Sequence, residues 1–65
     1  MAKVSLVGAR KTANLTQKQL ADELGVSRYA VINWEKGKSK LKPIALIAIC
    51  HLTGFNVDDI ILPKQ

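Results

Sequence analysis

The sequence predicts an all-α fold, a compact domain of five short helices. Three observations support this prediction: the length of 65 residues suits one small domain, apolar residues recur at helical spacing, and helix-ending residues divide the chain into short blocks. The dividing residues are Asn14, Gly25, Gly37, Pro43, Gly54 and Pro63. Because no linker or internal repeat interrupts the chain, residues 1–65 are predicted to form a single domain.

The first two helices are predicted on either side of Asn14. Residues 4–13 carry apolar side chains at near-helical spacing, and Asn14 tolerates the left-handed backbone that follows a helix end. Thr16 and Gln19 have the spacing of a capping box, in which each side chain accepts a hydrogen bond from the backbone N–H of the other residue. Gly25 is expected to end helix two, because glycine takes a left-handed backbone without steric cost.

The third and fourth helices are bounded by Ser27, Gly37 and Pro43. Ser27 is a suitable N-cap for helix three, which Gly37 ends. Pro43 suits the first turn of helix four over residues 44–52, and the apolar character of this segment on nearly all sides predicts a position at the centre of the core. Its isoleucines would also suit a β-strand, but no second strand is predicted for it to pair with, which favours a helix.

A fifth, short helix is predicted between Asn56 and Pro63. Asn56 is a suitable N-cap, and Asp58 and Asp59 fall in the first turn, where the helix dipole favours negative charge. The apolar side chains of this segment exceed what one short helix needs to bury, so some of them are expected to form a dimer contact: Phe55, Val57, Ile60 and Ile61.

The charge of the chain indicates an anionic partner. Ten Lys and Arg against five Asp and Glu give a net charge of +5, which on so small a domain suits nucleic acid. The longest apolar run, residues 44–50, is far shorter than the roughly 20 residues that span a bilayer, and the N-terminus lacks the apolar region of a secretory signal. We therefore expect a cytoplasmic protein without membrane contact, and a stand-alone one, because no further domain follows residue 65.

The sequence offers no catalytic centre and no metal site. Cys50 is the single cysteine, so it cannot form a disulfide within the chain. Cys50 and His51 are adjacent, and on a helix their side chains diverge by about 100°, with no second cysteine or histidine to complete a metal site. The absence of a third group also argues against nucleophilic catalysis. The chain is predicted not to be an enzyme and to bind no metal, cofactor or small-molecule ligand.

A helix-turn-helix is predicted around the segment Leu24-Gly25-Val26-Ser27, a short turn that contains glycine and joins two helices. The helical period places Ala30, Val31 and Trp34 on one face of helix three. The opposite face carries four side chains that are predicted to read DNA bases: Arg28, Tyr29, Ile32 and Asn33.

The chemistry of these four side chains suits the major groove. Arginine binds guanine N7 and O6, asparagine binds adenine, isoleucine contacts the thymine methyl group, and tyrosine adds a ring contact or a phosphate hydrogen bond. The alternative is an ordinary solvated helix face, but such a face seldom carries both a tyrosine and an isoleucine. Base reading is therefore the favoured interpretation.

Four lysines follow helix three at alternate positions: Lys36, Lys38, Lys40 and Lys42. A charge run of this kind is usually a solvated surface. Beside a DNA-reading helix it also suits phosphate contacts, each of which releases counterions and contributes about −0.9 to the dependence of log affinity on log salt concentration. We favour phosphate contact for at least two of the four.

The chain resembles the Cro/C1-type (XRE-type) helix-turn-helix family of phage and bacterial repressors. The resemblance extends over nearly the whole chain and is carried by these residues: Leu15-Thr16-Gln17, Leu20-Ala21, Gly25-Val26-Ser27, Val31 and Trp34-Glu35-Lys36-Gly37-Lys38. It implies a five-helix, repressor-like domain that binds a double-stranded DNA operator with its third helix in the major groove. It also implies a homodimer on a near-palindromic site.

Roles for single residues follow from this resemblance. Gln17 matches a residue that touches phosphate and braces helix three, and Arg10 with Glu35 matches a structural ion pair. Further phosphate contacts are implied for Thr16, Lys36, Lys38 and Lys40, and base contacts for Arg28, Tyr29 and Asn33. Ile32 departs from the family, which usually has a polar residue there, so it is either a methyl-reading contact or part of a protein interface.

The predicted function is that of a sequence-specific DNA-binding transcription regulator, with repression as the expected outcome. The alternative is a helix-turn-helix protein-interaction module that binds and modulates another regulator through Tyr29 and Ile32. A basic membrane-surface protein is a weaker alternative, because the lysines lie in a loop and not along an amphipathic helix.

Overall fold

The computed structural model describes residues 3–63 and contains, within that range, four α-helices, one short 3₁₀ turn and two short strands. In chain order these are β1 (Val4–Ser5), α1 (Leu6–Thr12), α2 (Gln17–Leu24), α3 (Arg28–Lys36), α4 (Pro43–Thr53), the 3₁₀ turn (Val57–Asp59) and β2 (Ile60–Ile61). The predicted domain of residues 1–65 includes four residues that lie outside the described range: Met1, Ala2, Lys64 and Gln65.

The predicted ends of α2 and α3 are confirmed. The Thr16 hydroxyl accepts a hydrogen bond from the N–H of Gln19 at 3.0 Å, and the Gln19 side chain accepts one from the N–H of Thr16 at 2.9 Å. The Ser27 hydroxyl accepts from the N–H of Ala30 at 3.2 Å, which caps α3. Gly25 and Gly37 both have positive φ, and Asn14, with φ 60°, has the left-handed backbone expected after helix one.

The prediction that helix one begins at Val4 is wrong. Ser5 is extended and its hydroxyl accepts from the N–H of Gly8 at 3.0 Å, so Ser5 is the N-cap and α1 begins at Leu6. Val4 and Ser5 instead pair in parallel with Ile60 and Ile61. This pairing joins residues more than fifty positions apart, and no local pattern in the sequence indicates it.

The prediction of a fifth helix is also wrong. Val57–Asp59 is a single 3₁₀ turn, and Ile60 already has an extended backbone. The N–H of Asn56 donates to the Asp59 carboxylate at 3.3 Å, so the predicted cap and its acidic partner do meet. Two β-branched residues then satisfy their backbone groups in β2 with β1. The fold is therefore mostly helical, with four helices and a two-stranded parallel sheet within residues 3–63, and not all-α with five helices.

A single hydrophobic core joins all four helices and β2. Its buried members are Leu6, Ala9, Leu20, Ala21, Val31, Leu41, Ile49, Cys50 and Ile60. The prediction that helix four lies at the centre of the core holds for one side only. Ile49 is fully buried, but Ile44 and Ile47 are 78% and 59% exposed. The core of this small domain covers only one side of α4.

Within residues 3–63, no helix has the length and hydrophobicity needed to cross a membrane.

Candidate nucleic-acid interface

The turn between α2 and α3 is held by backbone hydrogen bonds at the end of α2. The N–H of Gly25 donates to the carbonyl of Asp22 at 3.3 Å, and the N–H of Val26 donates to the carbonyl of Ala21 at 3.0 Å. Val26 packs against the core, whose buried members include Ala21 in α2 and Val31 in α3. The turn therefore fixes the direction in which α3 leaves α2.

The two faces of α3 differ in burial as the helical period predicts. Val31 is fully buried and Trp34 packs against the core, whereas Arg28 and Tyr29 are exposed at the start of the helix. The Arg28 guanidinium lies over the Tyr29 ring, 5.9 Å from its centroid. This cation–π contact holds the two predicted base-reading side chains together.

Ile32 and Asn33 are less exposed to solvent than Arg28 and Tyr29. Both are half-buried. The backbone carbonyl of Asn33 accepts from the N–H of Lys38 at 2.9 Å, which folds the chain back at the end of α3. The structure thus brings the four predicted base-reading residues onto one side of α3, with the first turn more accessible than the second.

A buried polar cluster, which we call the Glu35 network, holds α3 against α1 and α2. Arg10 Nε donates to Glu35 Oε2 at 2.6 Å, and Arg10 Nη2 donates to Glu35 Oε1 at 3.4 Å. Arg10 Nη1 donates to the carbonyl of Leu15 at 2.9 Å, and Gln17 Nε2 donates to Glu35 Oε1 at 2.9 Å. The Arg10 and Glu35 side chains are only 9% and 5% exposed.

The Glu35 network confirms the Arg10–Glu35 ion pair that the family resemblance implies. Every buried side-chain nitrogen and oxygen atom within residues 3–63 has a hydrogen-bond partner, so the buried charges of the network are compensated. Gln17 lies at the first position of α2 and bonds a residue of α3. A single side chain therefore links the start of α2 to the last turn of α3.

The segment from the last residue of α3 to the N-cap of α4, which we call the basic loop, comprises residues 36–42. Lys36, Lys38, Lys40 and Lys42 are all exposed, while Leu41 is buried in the core. Within residues 3–63, none of these lysines forms an ion pair. Leu41 anchors the loop, and the exposed lysines lie on either side of it in sequence. Thr16, the remaining predicted phosphate contact, is exposed at the start of α2.

Cys50 lies away from these residues, on the inner side of α4. Burial raises the pKa of the Cys50 thiol, and the negative charge of Asp59 raises it further. A thiol of this kind is protonated at neutral pH and is a poor nucleophile. Within residues 3–63, no three His, Cys, Asp or Glu side chains lie close enough together to share a metal ion.

One exposed surface was not predicted from the sequence, the outer side of α4 with Ile44 and Ile47. A signal for it was present: a helix that is apolar on nearly all sides cannot be covered on every side in a chain of 65 residues. The expected dimer contact was placed on the C-terminal segment instead. There Ile60 is buried and Phe55 packs against the core, which leaves Val57 and Ile61 exposed.

Comparison with known proteins identifies the family. A family model described as helix-turn-helix matches residues 8–60. The chain belongs to the Cro/C1-type helix-turn-helix family. This is a family of DNA-binding regulators and is not typically enzymatic. In a helix-turn-helix domain of this family, α2 and α3 with their connecting turn are the DNA-binding unit.

The Cro/C1-type domain is also similar to part of a larger protein. It is 38% identical over 56 residues to the HTH-type transcriptional activator BcrR of Enterococcus faecalis. The match covers 86% of this chain and 28% of BcrR, so the chain spans less than a third of that relative's length. No solved structure matches the chain significantly.

Proposed function

We propose that this chain is a sequence-specific regulator of transcription that binds double-stranded DNA and reads the major groove with α3. The observation that carries the proposal is the combination, around one helix, of an exposed polar first turn, a buried network that fixes the helix direction, and an exposed basic loop. Each feature suits one requirement of DNA recognition, namely base contacts, rigid positioning and phosphate contacts.

Base reading is assigned to the outward residues of α3. Arg28 is exposed and stacked on Tyr29, an arrangement that restricts the guanidinium before DNA arrives and so reduces the entropy lost on binding. The guanidinium suits guanine, and the Asn33 amide suits adenine. Ile32 is half-buried and lies between them in sequence, where its exposed part suits a thymine methyl group.

Phosphate contacts are assigned to residues that flank α3 on both sides. At the start of α2 these are Thr16 and Gln17, and in the basic loop they are Lys36, Lys38 and Lys40. The lysines have no competing ion pair within residues 3–63, so phosphates meet them without displacing a protein carboxylate. These contacts provide most of the non-specific affinity and set the register of α3 on the duplex.

Gln17 connects the phosphate contact with the positioning of α3. Its amide nitrogen already donates to Glu35, which fixes the orientation of the amide group at the start of α2. A phosphate that contacts this end of α2 therefore meets a group whose position is set by α3. Phosphate contact and helix direction are coupled through one side chain.

Regulation is proposed to occur by occupancy of an operator. A homodimer would place two copies of α3 about one helical turn of DNA apart, on a near-palindromic site. An operator that overlaps a promoter would then be closed to polymerase, which gives repression. BcrR is named as an activator, so an operator upstream of a promoter would give the opposite outcome with the same DNA contacts.

Selection of bound sequences from a random duplex pool tests this function directly. We expect the purified chain to enrich an inverted repeat, with affinity for the enriched duplex that falls steeply as salt concentration rises. A variant with Lys38 and Lys40 replaced by alanine should reduce the salt dependence and keep the sequence preference. A pool that shows no enrichment at low salt, or binding without dependence on salt, would contradict the proposal.

A further inference from the structure

The first turn of α3 begins with a positive charge that the fold does not neutralise. Arg28 is the first residue of α3, and no acidic residue lies in the first turn of this helix. Among residues 3–63, the Arg28 side chain forms no ion pair and no hydrogen bond. Because the N-terminal end of a helix carries a partial positive charge, a cation at this position is unfavourable in the free protein. The position therefore suits a residue whose hydrogen-bond acceptors are supplied by a ligand.

The partner that the guanidinium does have, within residues 3–63, is the aromatic ring of Tyr29. Arg28 Cζ lies over this ring, 5.9 Å from its centroid. The face of an aromatic ring carries partial negative charge, so the contact attracts the cation and holds the guanidinium on one side. Because the contact involves no nitrogen or oxygen acceptor, the N–H donors of Arg28 remain available for a base.

Tyr29 takes no part in the hydrophobic core. It is 69% exposed and is among the most exposed large apolar residues within residues 3–63. It belongs neither to the buried core nor to the partly buried residues that pack against it. Substitutions at a position of this kind change stability little, so variants of Tyr29 are expected to keep the fold. Its contact with Arg28 is therefore the interaction from which a role for the ring can be inferred.

Binding to guanine would fix the plane of the guanidinium. Arginine donates to guanine N7 and O6 with two N–H groups, which places its guanidinium close to the plane of the base. Neighbouring base pairs are stacked about 3.4 Å apart along the duplex. With the Tyr29 ring on one side of the guanidinium, the opposite face is left for the major-groove edge of the base next to the guanine.

The group that fits this opposite face is the 5-methyl group of a pyrimidine that precedes the guanine. This methyl group projects into the major groove. A guanidinium is weakly hydrated and stacks on apolar groups through its faces, so the contact removes the methyl group from water without burying an N–H donor. Thymine and 5-methylcytosine carry the same methyl group, and unmodified cytosine lacks it.

We propose that the domain recognises a 5-methylpyrimidine–guanine step, in which Arg28 binds the guanine, Tyr29 holds one face of the guanidinium and the pyrimidine methyl group packs on the other. Tyr29 is thus a positioning residue that acts through Arg28. This inference rests on the proposed function, because it requires α3 in the major groove. It goes further by naming the dinucleotide step and by predicting that methylation of cytosine at this step strengthens binding.

The DNA side is tested on the duplex obtained by pool selection. Arg28→Ala first locates the guanine, as the position at which the sequence preference is lost. Fluorescence anisotropy then compares thymine with uracil, and 5-methylcytosine with cytosine, at the pyrimidine before that guanine. The methylated base of each pair should bind about two- to fivefold more tightly, because one methyl group is covered. The same exchanges at a pyrimidine outside the site are the control and should leave affinity unchanged.

Variants of Tyr29 test the positioning role. Tyr29→Phe keeps the ring and should bind within about twofold of the wild type. Tyr29→Leu removes the ring and should weaken binding to the selected duplex about three- to tenfold, with binding to scrambled DNA unchanged. The ratio of thymine to uracil affinity should also fall towards one in Tyr29→Leu, because the guanidinium is no longer held against the methyl group. Lys38→Ala is the control, since it should weaken both duplexes and keep this ratio.

Circular dichroism should show the same helix content in all variants. Equal affinities for thymine and uracil at this step would overturn the inference, as would a ratio that Tyr29→Leu leaves unchanged. Equal losses for Tyr29→Phe and Tyr29→Leu would assign the effect to the hydroxyl group and also overturn it. In each of these cases an enriched, salt-dependent site would keep the proposed function. A pool selection without enrichment would reject both.

Discussion

Glu35 in α3 is a charged side chain that the fold buries, whereas Ile44 and Ile47 in α4 are apolar side chains that the fold leaves exposed. Both arrangements are unfavourable in isolation, and only the first is compensated within residues 3–63. Glu35 receives its partners from within the chain, through Arg10 and Gln17. The isoleucines have no covering partner among residues 3–63. A buried charge fixes geometry inside the domain, while exposed apolar surface is a property of association between domains.

The largest effect is expected from Glu35→Ala. Arg10 would keep its charge in a buried site without a partner, and we expect a loss of about 3 to 5 kcal/mol in the free energy of unfolding. Urea unfolding followed by circular dichroism measures it. Asp22→Ala is the control, because it removes the exposed Lys18–Asp22 ion pair and should lower that free energy by less than about 1 kcal/mol.

A domain this small is expected to lose most of its structure in Glu35→Ala, so a second variant is needed. Replacing both Arg10 by methionine and Glu35 by leucine removes both charges and should restore a folded chain. Similar small losses for Glu35→Ala and Asp22→Ala would show that the Glu35 network does not stabilise the domain.

The next largest expected effect is on stability, and it differs between buried and exposed apolar residues. Leu20→Ala opens a cavity at a fully buried position, and we expect a loss of about 2 to 5 kcal/mol in the free energy of unfolding. Ile44→Ala, at an exposed position, should change it by less than about 0.5 kcal/mol. Thermal and urea unfolding should be measured at the lowest protein concentration that gives a signal, so that dimer formation does not contribute. A loss above 1 kcal/mol for Ile44→Ala, on the order of a cavity effect, would mean that Ile44 packs within the domain.

A third contrast lies between the outward residues of α3 and the basic loop. Arg28→Ala and Asn33→Ala should each weaken binding to the selected site by about 1 to 3 kcal/mol and leave binding to scrambled DNA unchanged. Lys38→Ala should weaken both equally and reduce the salt slope by about 1. Fluorescence anisotropy titrations at several salt concentrations measure these effects. Equal losses on both duplexes for Arg28→Ala would remove it from the base-reading residues.

Gln17→Ala should have a smaller effect on stability, roughly 1 kcal/mol, because the carboxylate of Glu35 loses one hydrogen bond but keeps Arg10. Gln17→Glu should cost more, since it brings a second carboxylate next to Glu35. Urea unfolding of both variants measures which of them loses more stability. If Gln17→Glu is as stable as the wild type, the contact between Gln17 and Glu35 is not maintained in solution.

The smallest effect concerns the thiol on the inner side of α4. The raised pKa of Cys50 predicts that iodoacetamide reacts with the native chain more slowly than with the urea-unfolded chain at pH 8, because less thiolate is present. Asp59→Asn removes the negative charge that contributes to the raised pKa and should speed the reaction slightly. Equal rates in the native and unfolded chains would mean that the fold does not raise the pKa of Cys50.

Much of the DNA-binding unit could be predicted from local patterns. The capping box at Thr16 and Gln19, the cap at Ser27 and the glycine stop at Gly37 are local features. In each of them the atoms that bond belong to residues no more than four positions apart. The division of α3 into a core side and an outer side follows from the helical period alone, as Val31 shows. The roles of single side chains in DNA contact are predictions that these geometries support.

The chain ends and α4 could not be predicted in this way. Val4 and Ser5 fit a helical pattern until their pairing with β2 is known, and Ile60 fits a short helix until its burial in the core is known. The exposure of Ile44 and the burial of Ile49 depend on which side of α4 the other helices cover. The helical period shows which residues share a side of a helix. When all sides are equally apolar, the period does not show which side faces the core.

The sequence by itself determined the helix-turn-helix, its caps and the residues of α3 that face outward, because hydrogen bonds and periodicity over a few residues are encoded locally. Only the tertiary structure decided that the Arg10–Glu35 pair is buried and shares Glu35 with Gln17, that residues 4–5 and 60–61 pair as parallel strands, and that α4 keeps an apolar side exposed. The physical reason is that these features depend on contacts between residues distant in sequence. Local sequence patterns are compatible with several backbone conformations and several buried sides, and tertiary packing determines which of them forms.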